Sequence, residues 1–306
     1  MQAKETKPVP TLDAAVVASV TGGKLVGPNA PVAGVCTLRR PRDGHLGFLR
    51  DENAERVAVA TEHPGLVLLV PPGLEGKLPG PHIAVENPRR AFGEILARYF
   101  TIPKPTGIAP TARIAPDAVI GEGASVGEYS VIGSGSVVGP HTEIRHHVVI
   151  APRVHIGSHC IVKSHAVIGE EGFATEKDAA GNNYKIVHVG GVVIGDHVEI
   201  GATTVVCAGT VDPTEIGDYT KLDDNVFIAH NCRIGKNCTI IATSEISGSA
   251  EVGDNAWIAP SATVLESVKI GADAYVGLGA VVIRDCEAGF VYVGNPARKL
   301  RAREKP

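Results

Sequence analysis

The sequence predicts a mainly β protein: a parallel β-helix preceded by a small α/β domain. Three observations carry this prediction. Between residues 108 and 282, aliphatic residues recur at every sixth position over long stretches. The residue two positions before each aliphatic is small, and the residue after it is often glycine. A period of six fits neither an α-helix nor an alternating strand, and it is typical of a solenoid in which three hexapeptides close each triangular coil.

The aliphatic residues should point into the prism, with the small residues beside them. Residues eighteen apart should then lie above one another, roughly 4.8 Å apart along the axis. Glycine after the aliphatic suits a corner that needs positive φ or a close backbone approach. The two long series are Ile108, Ile114, Ile120, Val126, Ile132, Val138, Ile144, Ile150, Ile156, Val162, Ile168 and then Ile216, Leu222, Ile228, Ile234, Ile240, Ile246, Val252, Ile258, Val264, Ile270, Val276, Val282.

Composition bounds the class of protein. The chain has 306 residues, is 44% hydrophobic and 4% aromatic, and carries a net charge of -4, so it has room for two domains and shows no nucleic-acid footprint. Cys160, Cys232 and Cys238 fall on the small inward position, which favours core packing over a metal or disulfide. No apolar run approaches the roughly 20 residues of a membrane span, and residues 2–7 lack a signal-peptide core. We therefore expect a reduced, cytoplasmic protein without a bound cofactor.

Residues 1–107 do not repeat and predict the small α/β domain and its linker. Thr11 or Asp13 is placed to cap a helix through Val20, which ends near Gly22. Pro88 suits the first turn of a second helix. The predicted strands are 32–38, 47–49, 66–70 and 82–85, and the second helix is 89–100.

The β-helix is expected over residues 108–286, with a short tail over 287–306. Two interruptions break the repeat: an inserted loop, 169–188, and four extra residues between Val206 and Ile216. Loops longer than the repeat of a regular solenoid often carry function.

Histidines at eighteen-residue spacing form one candidate site. His141 and His159 make one pair, and His147 and His165 make another at the same corner position. Stacked imidazoles of this kind either bind a metal between subunits or form a polar ladder that faces solvent. No carboxylate or cysteine accompanies them at a spacing that demands a metal, so no metal site is assigned.

His230 is the second candidate. It follows Ile228 by two positions, and Gly248 lies eighteen residues further on. An imidazole beneath a glycine N–H provides two parts of an acyl-transfer site: a base for the attacking amine and a donor for the oxyanion. The alternative is an exposed corner histidine without a role.

Three segments together resemble a known family. Ile228-Ala229-His230-Asn231, the loop Gly169–Ala174 and the return strand Lys185–Gly190 are similar to motifs of the UDP-3-O-(3-hydroxyacyl)glucosamine N-acyltransferases, the hexapeptide-repeat acyltransferases of lipid A biosynthesis. The similarity covers roughly residues 10–285, including the order of the domains.

The resemblance implies a left-handed β-helix and a homotrimer with active sites between subunits. It implies transfer of an acyl group from a thioester of acyl carrier protein or CoA to the amino group of a UDP-linked or other nucleotide-linked amino sugar. His230 would be the general base and Gly248 the oxyanion donor, and the N-terminal domain would bind uridine. The residues expected to bind substrate are Phe48, Phe173, Lys185, His188, Asn231 and Glu266.

The sequence also differs from the family pattern. Ala54 stands where the family has a second stacking aromatic, and Glu266 and Ser267 stand around the position of a second histidine. Cys207 and Ala208 replace an Asp and an Arg, and a long C-terminal helix is missing. The ending Gly294–Leu300 resembles acetyltransferases that use acetyl-CoA. Three alternatives follow: a short-chain N-acetyltransferase that uses acetyl-CoA, a metal enzyme like the γ-carbonic anhydrases, or a non-catalytic paralogue.

Overall fold

A computed structural model describes residues 12–101 and 106–304 of the chain. The chain divides into two compact units, residues 1–104 and 105–306. Each unit has its own hydrophobic core.

The first unit is a five-stranded sheet with three helices. Its strand order is β1-β5-β4-β3-β2, with β1 antiparallel to β5 and the other pairs parallel. Leu46, Leu69 and Ile83 are fully buried in the sheet. The elements are α1 (Ala14–Thr21), β1 (Lys24–Val26), β2 (Gly34–Val35), β3 (His45–Phe48), α2 (Ala54–Glu62), β4 (Val67–Val70), a 3₁₀ turn (Pro72–Leu74), β5 (His82–Ala84) and α3 (Pro88–Tyr99).

Capping fixes the first helix as the sequence predicts. The Asp13 side chain accepts from the Val16 N–H, and Gly22 ends α1 with φ 65°. Thr11, the other candidate cap, lies outside the described residues. The predicted strand 32–38 is wrong in length, since only Gly34–Val35 pairs. The helix α2 was not predicted because only Ala60 of its residues is buried, which leaves no clear apolar stripe.

The second unit is a parallel β-solenoid of three sheets, which we call the first, second and third faces. It matches a left-handed β-helix of hexapeptide repeats, so the predicted fold class is confirmed. The first face contains β6 (Arg113–Ile114), β9 (Val131–Ile132), β12 (Val149–Ile150), β15 (Val167–Glu171), β20 (Val205–Ala208), β23 (Phe227–Ile228), β26 (Glu245–Ile246), β29 (Thr263–Val264) and β32 (Val281–Val282).

The other two faces follow the same order along the chain. The second face contains β7 (Val119–Ile120), β10 (Val137–Val138), β13 (Val154–Ile156), β18 (Val192–Ile194), β21 (Thr214–Ile216), β24 (Arg233–Ile234), β27 (Glu251–Val252) and β30 (Lys269–Ile270). The third face contains β8 (Ser125–Val126), β11 (Glu143–Ile144), β14 (Ile161–Val162), β19 (Glu199–Ile200), β22 (Lys221–Leu222), β25 (Thr239–Ile240), β28 (Trp257–Ile258), β31 (Tyr275–Val276), β33 (Phe290–Val293) and β34 (Arg298–Ala302).

Strand register follows the eighteen-residue count except at the two interruptions. Val137 pairs with His155, eighteen residues on. The next strand on that face pairs His155 with Val193, because the inserted loop lies between them. Across the second interruption, Val205 pairs with Phe227. The inward aliphatics form one continuous core, whereas Ile108 at the open first coil is 53% exposed.

The glycines that follow the aliphatic residues allow the backbone of the next coil to approach closely. Most residues with positive φ lie at a different position of the repeat. A Cβ built on Gly121 would lie 2.5 Å from the Pro140 nitrogen of the next coil. The left-handed residue is the third after the aliphatic, as at His147 with φ 57°. The expectation that corner glycines supply positive φ is therefore wrong for most of them, and the expectation of backbone contact is right.

The segment predicted as a short tail, 287–306, forms two more strands. β33 continues the third face parallel to β31, and β34 folds back antiparallel to β33. The Lys299 ammonium lies 3.4 Å from the centroid of the Phe290 ring and also pairs with Glu287. The hexapeptide period ends at Val282, which is why the sequence pattern missed this hairpin.

Removal of an inward aliphatic should destabilise the solenoid strongly. We expect Leu222→Ala to lower the free energy of unfolding by about 2–5 kcal/mol, because Leu222 is 1% exposed. Its neighbours in the coils above and below are fixed in the stack, so they cannot move to fill the cavity. Ile283→Ala is the matched control, since Ile283 is 41% exposed and its loss should be worth under about 1 kcal/mol. Urea denaturation followed by circular dichroism measures both, and equal losses would contradict the assignment of the core.

Candidate active site

His230 lies on the corner that follows β23, between the first and second faces, and its ring packs against Gly248 of the next coil. A Cβ built on Gly248 would lie 2.7 Å from His230 Cε1 and 2.9 Å from Nε2. Only glycine therefore lets the backbone approach the imidazole this closely. The eighteen-residue spacing predicted this juxtaposition.

The backbone around Gly248 leaves one donor available. The Ser249 N–H donates to the His230 carbonyl at 2.9 Å, and the Gly248 carbonyl accepts from the Ser267 N–H at 2.9 Å. The Gly248 N–H itself has no acceptor within the described parts of the chain. An unused N–H beside an imidazole is the arrangement that an acyl-transfer site needs.

The inserted loop closes the other side of the imidazole. A Cβ built on Gly172 would lie 2.9 Å from both Cβ and Cδ2 of His230, and 3.1 Å from His188 Nε2. The rings of His188 and His230 meet edge to face, with centroids 5.1 Å apart and an interplanar angle of 61°. The loop thus brings a second imidazole to the first, and Gly172 is a site residue that the sequence motif contained without indicating its role.

Neither ring nitrogen of His188 has a hydrogen-bond partner among residues 12–101 and 106–304, and the same holds for His230 Nδ1. His188 is only 5% exposed. Burial, and then the nearby His230, lower the pKa of His188 below its ordinary value. His188 is therefore a neutral imidazole near pH 7, with one nitrogen donor and one nitrogen acceptor.

Glu171 fixes the ends of the inserted loop. Its carboxylate accepts from the Lys185 ammonium and from the His188 N–H, the latter at 3.2 Å. The Lys185 hydrogen bond, followed by the His188 N–H, lowers the pKa of Glu171. Lys185, expected to bind substrate, is thus already engaged in holding the loop, and Glu171 is a supporting residue that the sequence analysis did not single out.

This anchor should depend on pH. Because the folded state lowers the pKa of Glu171 below 4.5, the anchor is fully present above that value and is lost as pH falls through the lowered folded pKa. We expect the amide signal of His188, followed by NMR in ¹⁵N-histidine-labelled protein, to shift on acidification. In Glu171→Gln the part of the shift that comes from the Glu171 carboxylate should be lost. Glu170→Gln, one residue away, is the control and should behave like the wild type; a wild-type signal that ignores pH would contradict the anchor.

Beyond the anchor, the loop projects as an exposed hairpin. Its strands are β16 (Thr175–Lys177) and β17 (Asn183–Lys185), paired antiparallel. The Asp178 carboxylate orders the turn by accepting from the N–H groups of Ala180 and Asn182. Phe173, expected to bind substrate, is 87% exposed at the base of this hairpin.

The second interruption is joined to the first beside His230. Its residues 209 and 210 accept from the N–H groups of Gly190 and Val189, both at 2.9 Å. The Asn231 Oδ1 accepts from the Thr210 N–H at 2.6 Å. Asn231 was expected to bind substrate, but its carbonyl oxygen is already used to hold this segment. The two interruptions therefore form one structure around the corner histidine.

Glu266 lies on the coil beyond Gly248, on the same corner. The Ser267 N–H donates to the Gly248 carbonyl, which places Glu266 next to that rung. Its side chain is exposed to solvent. The position of the family's missing histidine is thus occupied by a solvated carboxylate.

Phe48 lies in the first unit, in a cavity of about 490 Å³. Its ring is 5.1 Å from the ring of Phe92 on α3, at an angle of 40°. Arg39, Arg50 and Arg89 line the same cavity and have no carboxylate partner within the described ranges. Arg56, which also lines it, pairs with Asp51 at 3.2 Å. Aromatic rings with unpaired guanidinium groups are suited to an aromatic ligand that carries phosphates.

Buried thiols do not contribute a nucleophile to this region. Burial raises the pKa of Cys207 to about 11 and that of Cys232 to about 12. Both thiols are therefore protonated near pH 7 and poorly reactive. Cys160, Cys232 and Cys238 are all buried in the solenoid core, as their inward position predicted.

The spaced histidines form stacked ladders on the solenoid corners. His141, His159 and His197 stack in sequence, with centroids 5.0 Å apart. His147 and His165 form a second ladder at 4.9 Å. Across the described residues, no group of three or more His, Cys, Asp or Glu side chains is arranged to hold a metal ion. The rings of His141, His147, His159 and His165 are exposed to solvent, and His197 is half-buried.

Comparison with known proteins defines the class first. The family pattern described as bacterial transferase hexapeptide (six repeats) matches residues 135–170 and 213–248. Together with the fold, these matches show that the chain carries the hexapeptide repeats of bacterial transferases.

Individual proteins similar to this chain are acyltransferases by name. The chain is 43% identical over 133 residues to the UDP-3-O-acylglucosamine N-acyltransferase of Rhizobium meliloti, which covers 44% of this chain and 38% of that protein. It is 54% identical over 48 residues to UDP-3-O-acylglucosamine N-acyltransferase 2 of Legionella pneumophila, covering 16% of this chain and 14% of the relative. The resemblance predicted from the three motifs is confirmed.

Solved structures give a consistent result. The crystal structure of the UDP-N-acetylglucosamine O-acyltransferase of Moraxella catarrhalis is 29% identical, with a TM-score of 0.59, and the match covers 64% of this chain and 74% of that chain. The UDP-N-acetylglucosamine acyltransferase of Arabidopsis is 26% identical, with a TM-score of 0.54 and coverage of 64% and 74%. These likenesses are to acyltransferases and do not favour a carbonic anhydrase. Within the described parts of the chain, no helix has the length and apolar character to cross a membrane.

Proposed function

We propose that the protein is an N-acyltransferase that moves an acyl group from a thioester to the amino group of a UDP-linked amino sugar. One observation carries the proposal: the imidazole of His230 packs directly against Gly248, whose N–H has no acceptor within the described residues. The motif around His230 and the names of the curated relatives support the choice of reaction and substrate.

The chemistry follows from these two groups. The amine nitrogen attacks the thioester carbonyl carbon, and His230 takes the proton that the nitrogen loses as the C–N bond forms. The Gly248 N–H donates to the oxyanion of the tetrahedral intermediate. When the C–S bond breaks, the imidazolium returns its proton to the leaving thiolate, which leaves an amide and a thiol. The chain's buried cysteines take no part, because burial keeps their thiols protonated.

The basic cavity of the first unit supports a nucleotide-linked acceptor. The Phe48 and Phe92 rings are suited to a base, and the unpaired arginines to a diphosphate. The family's second stacking aromatic is replaced by Ala54, and in this proposal the Phe92 ring serves as the second aromatic.

This assignment makes a binding prediction. We expect Arg89→Ala to weaken UDP binding by about tenfold, because it removes an unpaired guanidinium from the cavity. Arg90→Ala is the matched control on the next residue of α3: Arg90 pairs with Glu94 at 3.1 Å and does not line this cavity. Isothermal titration with UDP measures both, and equal affinity in the two variants would contradict the assignment.

The donor and the assembly are part of the same proposal. We place the active site at a contact between copies of a homotrimer, supported by Val131 and Phe227 on the outer side of the first face, which are 42% and 38% exposed. Light scattering coupled to gel filtration tests the trimer. The donor is a thioester of acyl carrier protein or of CoA.

One assay matrix tests the reaction. Purified protein is incubated with UDP-3-O-acylglucosamine or UDP-glucosamine, each combined with long-chain acyl carrier protein or acetyl-CoA, and products are identified by mass. The proposal expects transfer to UDP-3-O-acylglucosamine. Transfer of acetyl from acetyl-CoA alone would identify the short-chain alternative. Thermal stabilisation by the nucleotide sugars without any product would identify a binding-only paralogue.

A further inference from the structure

A second cavity, of about 420 Å³, lies on the outer side of the third face and has no part in the proposed acyl transfer. His230 lies on the corner between the first and second faces, so within one chain the third face is the opposite side of the prism. All residues that line the cavity belong to the second unit. They are Trp257, Tyr275, Val291, Arg301, Arg303 and Glu304.

Strand pairing places four of these residues in one column. Trp257 pairs with Tyr275 on the next coil, and Tyr275 pairs with Val291 on β33. The antiparallel return strand β34 then places Arg301 opposite Val291. Neighbouring strands lie roughly 4.8 Å apart, so the column extends roughly 14 Å from an aromatic end to a cationic end.

Two aromatic rings form a flat surface at one end of the column. The rings of Trp257 and Tyr275 are nearly parallel, at an angle of 9°, with centroids 6.3 Å apart, and both are half-buried. The outward residues of the three preceding coils on this face are Glu199, Lys221 and Thr239, so the solenoid itself does not need an aromatic residue at this position. An aromatic surface of this kind is suited to stacking of a nucleobase.

Two guanidinium groups add positive charge beside the rings. Arg303 donates from one nitrogen to three backbone carbonyls, at 2.9, 3.1 and 3.2 Å, which fixes its guanidinium 5.9 Å from the centroid of the Tyr275 ring. Arg301 is exposed, and its carboxylate partner, Glu304 at 3.7 Å, is 92% exposed. Such a solvated pair is weak, so an anionic ligand can replace it, and guanidinium groups bind phosphate well.

We propose that this cavity binds a purine nucleoside phosphate, with the base stacked on Trp257 and Tyr275 and the phosphate paired with Arg301. A purine has two fused rings and covers more of the aromatic surface than a pyrimidine does. The same chemistry is found in a free adenine nucleotide and in the adenosine 3′,5′-bisphosphate end of CoA. The site is separate from the cavity around Phe48 in the first unit, and it does not depend on the proposed acyl transfer.

The fluorescence of Trp257 tests this proposal directly, because the chain has one tryptophan. The full chain is titrated with ADP, adenosine 3′,5′-bisphosphate, adenosine and inorganic phosphate, and the signal is corrected for absorption by the nucleotide. We expect both nucleotides to quench the fluorescence, and adenosine and phosphate to bind at least about tenfold more weakly, since each meets one end of the column. Preference for the bisphosphate identifies CoA as the source, and preference for ADP identifies a free nucleotide; both support the site.

Variants separate binding in the cavity from quenching elsewhere. Arg301→Ala should weaken nucleotide binding about tenfold, whereas Arg298→Ala, on the same strand but outside the cavity, should keep the wild-type affinity. Glu304→Gln should strengthen binding, because it removes the competing carboxylate. Trp257→Leu, followed by calorimetry, should lose about tenfold in affinity. Absence of quenching by both nucleotides, or equal affinity of Arg301→Ala and Arg298→Ala, would overturn the inference.

Discussion

His230→Ala is expected to lower kcat/KM for acyl transfer by about 10²–10⁴-fold, the usual contribution of a positioned general base. The His230 imidazole packs on Gly248, and the other imidazole in the site, His188, lies on the far side of His230. Steady-state transfer to UDP-3-O-acylglucosamine is the measurement.

A matched histidine separates this effect from loss of structure. His165→Ala removes an exposed ladder ring that stacks on His147, and we expect it to keep wild-type turnover. Both variants should melt near the wild-type temperature, because neither ring fills the solenoid core. Wild-type turnover by His230→Ala would show that the base is another group.

Gly248→Ala is the second variant for which we expect a large loss of activity. The new Cβ would lie 2.7 Å from His230 Cε1, closer than real Cβ atoms approach, so the imidazole has to move from its place. Displacement of a catalytic group by about 1 Å can lower the rate by about 10²-fold. We expect kcat to fall by that factor and UDP affinity to stay unchanged, since the cavity that we propose for the nucleotide is in the first unit.

Gly93→Ala is the control for this glycine substitution. A Cβ at Gly93 meets nothing within 4 Å, and the residue lies in α3, where alanine is the better helix former. We expect unchanged turnover and slightly higher stability. Equal activity of Gly248→Ala and Gly93→Ala would mean that the contact between Gly248 and His230 is not needed for transfer.

The architecture was predictable because its signal repeats. A residue such as Ile150 is specified by its position in a period of six and again by its neighbours in the coils above and below. The same count placed Gly248 over His230, so the central pair of the site could be read from spacing alone. Features that occur once had no such support: the helix α2 lacks an apolar stripe, and the hairpin of β33 and β34 begins after the period ends.

The rest of the site depends on contacts that spacing does not encode. The inserted loop leaves the repeat at Gly169, and the path by which His188 returns to His230 is set by Glu171, Lys185 and the second interruption. The sequence motif predicted that these residues belong to the site, but it did not predict which groups they contact. Asn231 shows the converse: its motif predicted a substrate contact, while its side chain holds Thr210.

The most direct test of N-acyl transfer follows the bond that forms. The acceptor UDP-3-O-acylglucosamine carries ¹⁵N at its amine, the thioester donor carries ¹³C at its carbonyl, and the product is examined by NMR. We predict a one-bond coupling between the ¹³C carbonyl and the ¹⁵N nitrogen in the product of the wild type, and a signal that forms about 10²–10⁴-fold more slowly with His230→Ala. A labelled product without that coupling, in which the new acyl group is bound to oxygen, would contradict the assignment of the reaction.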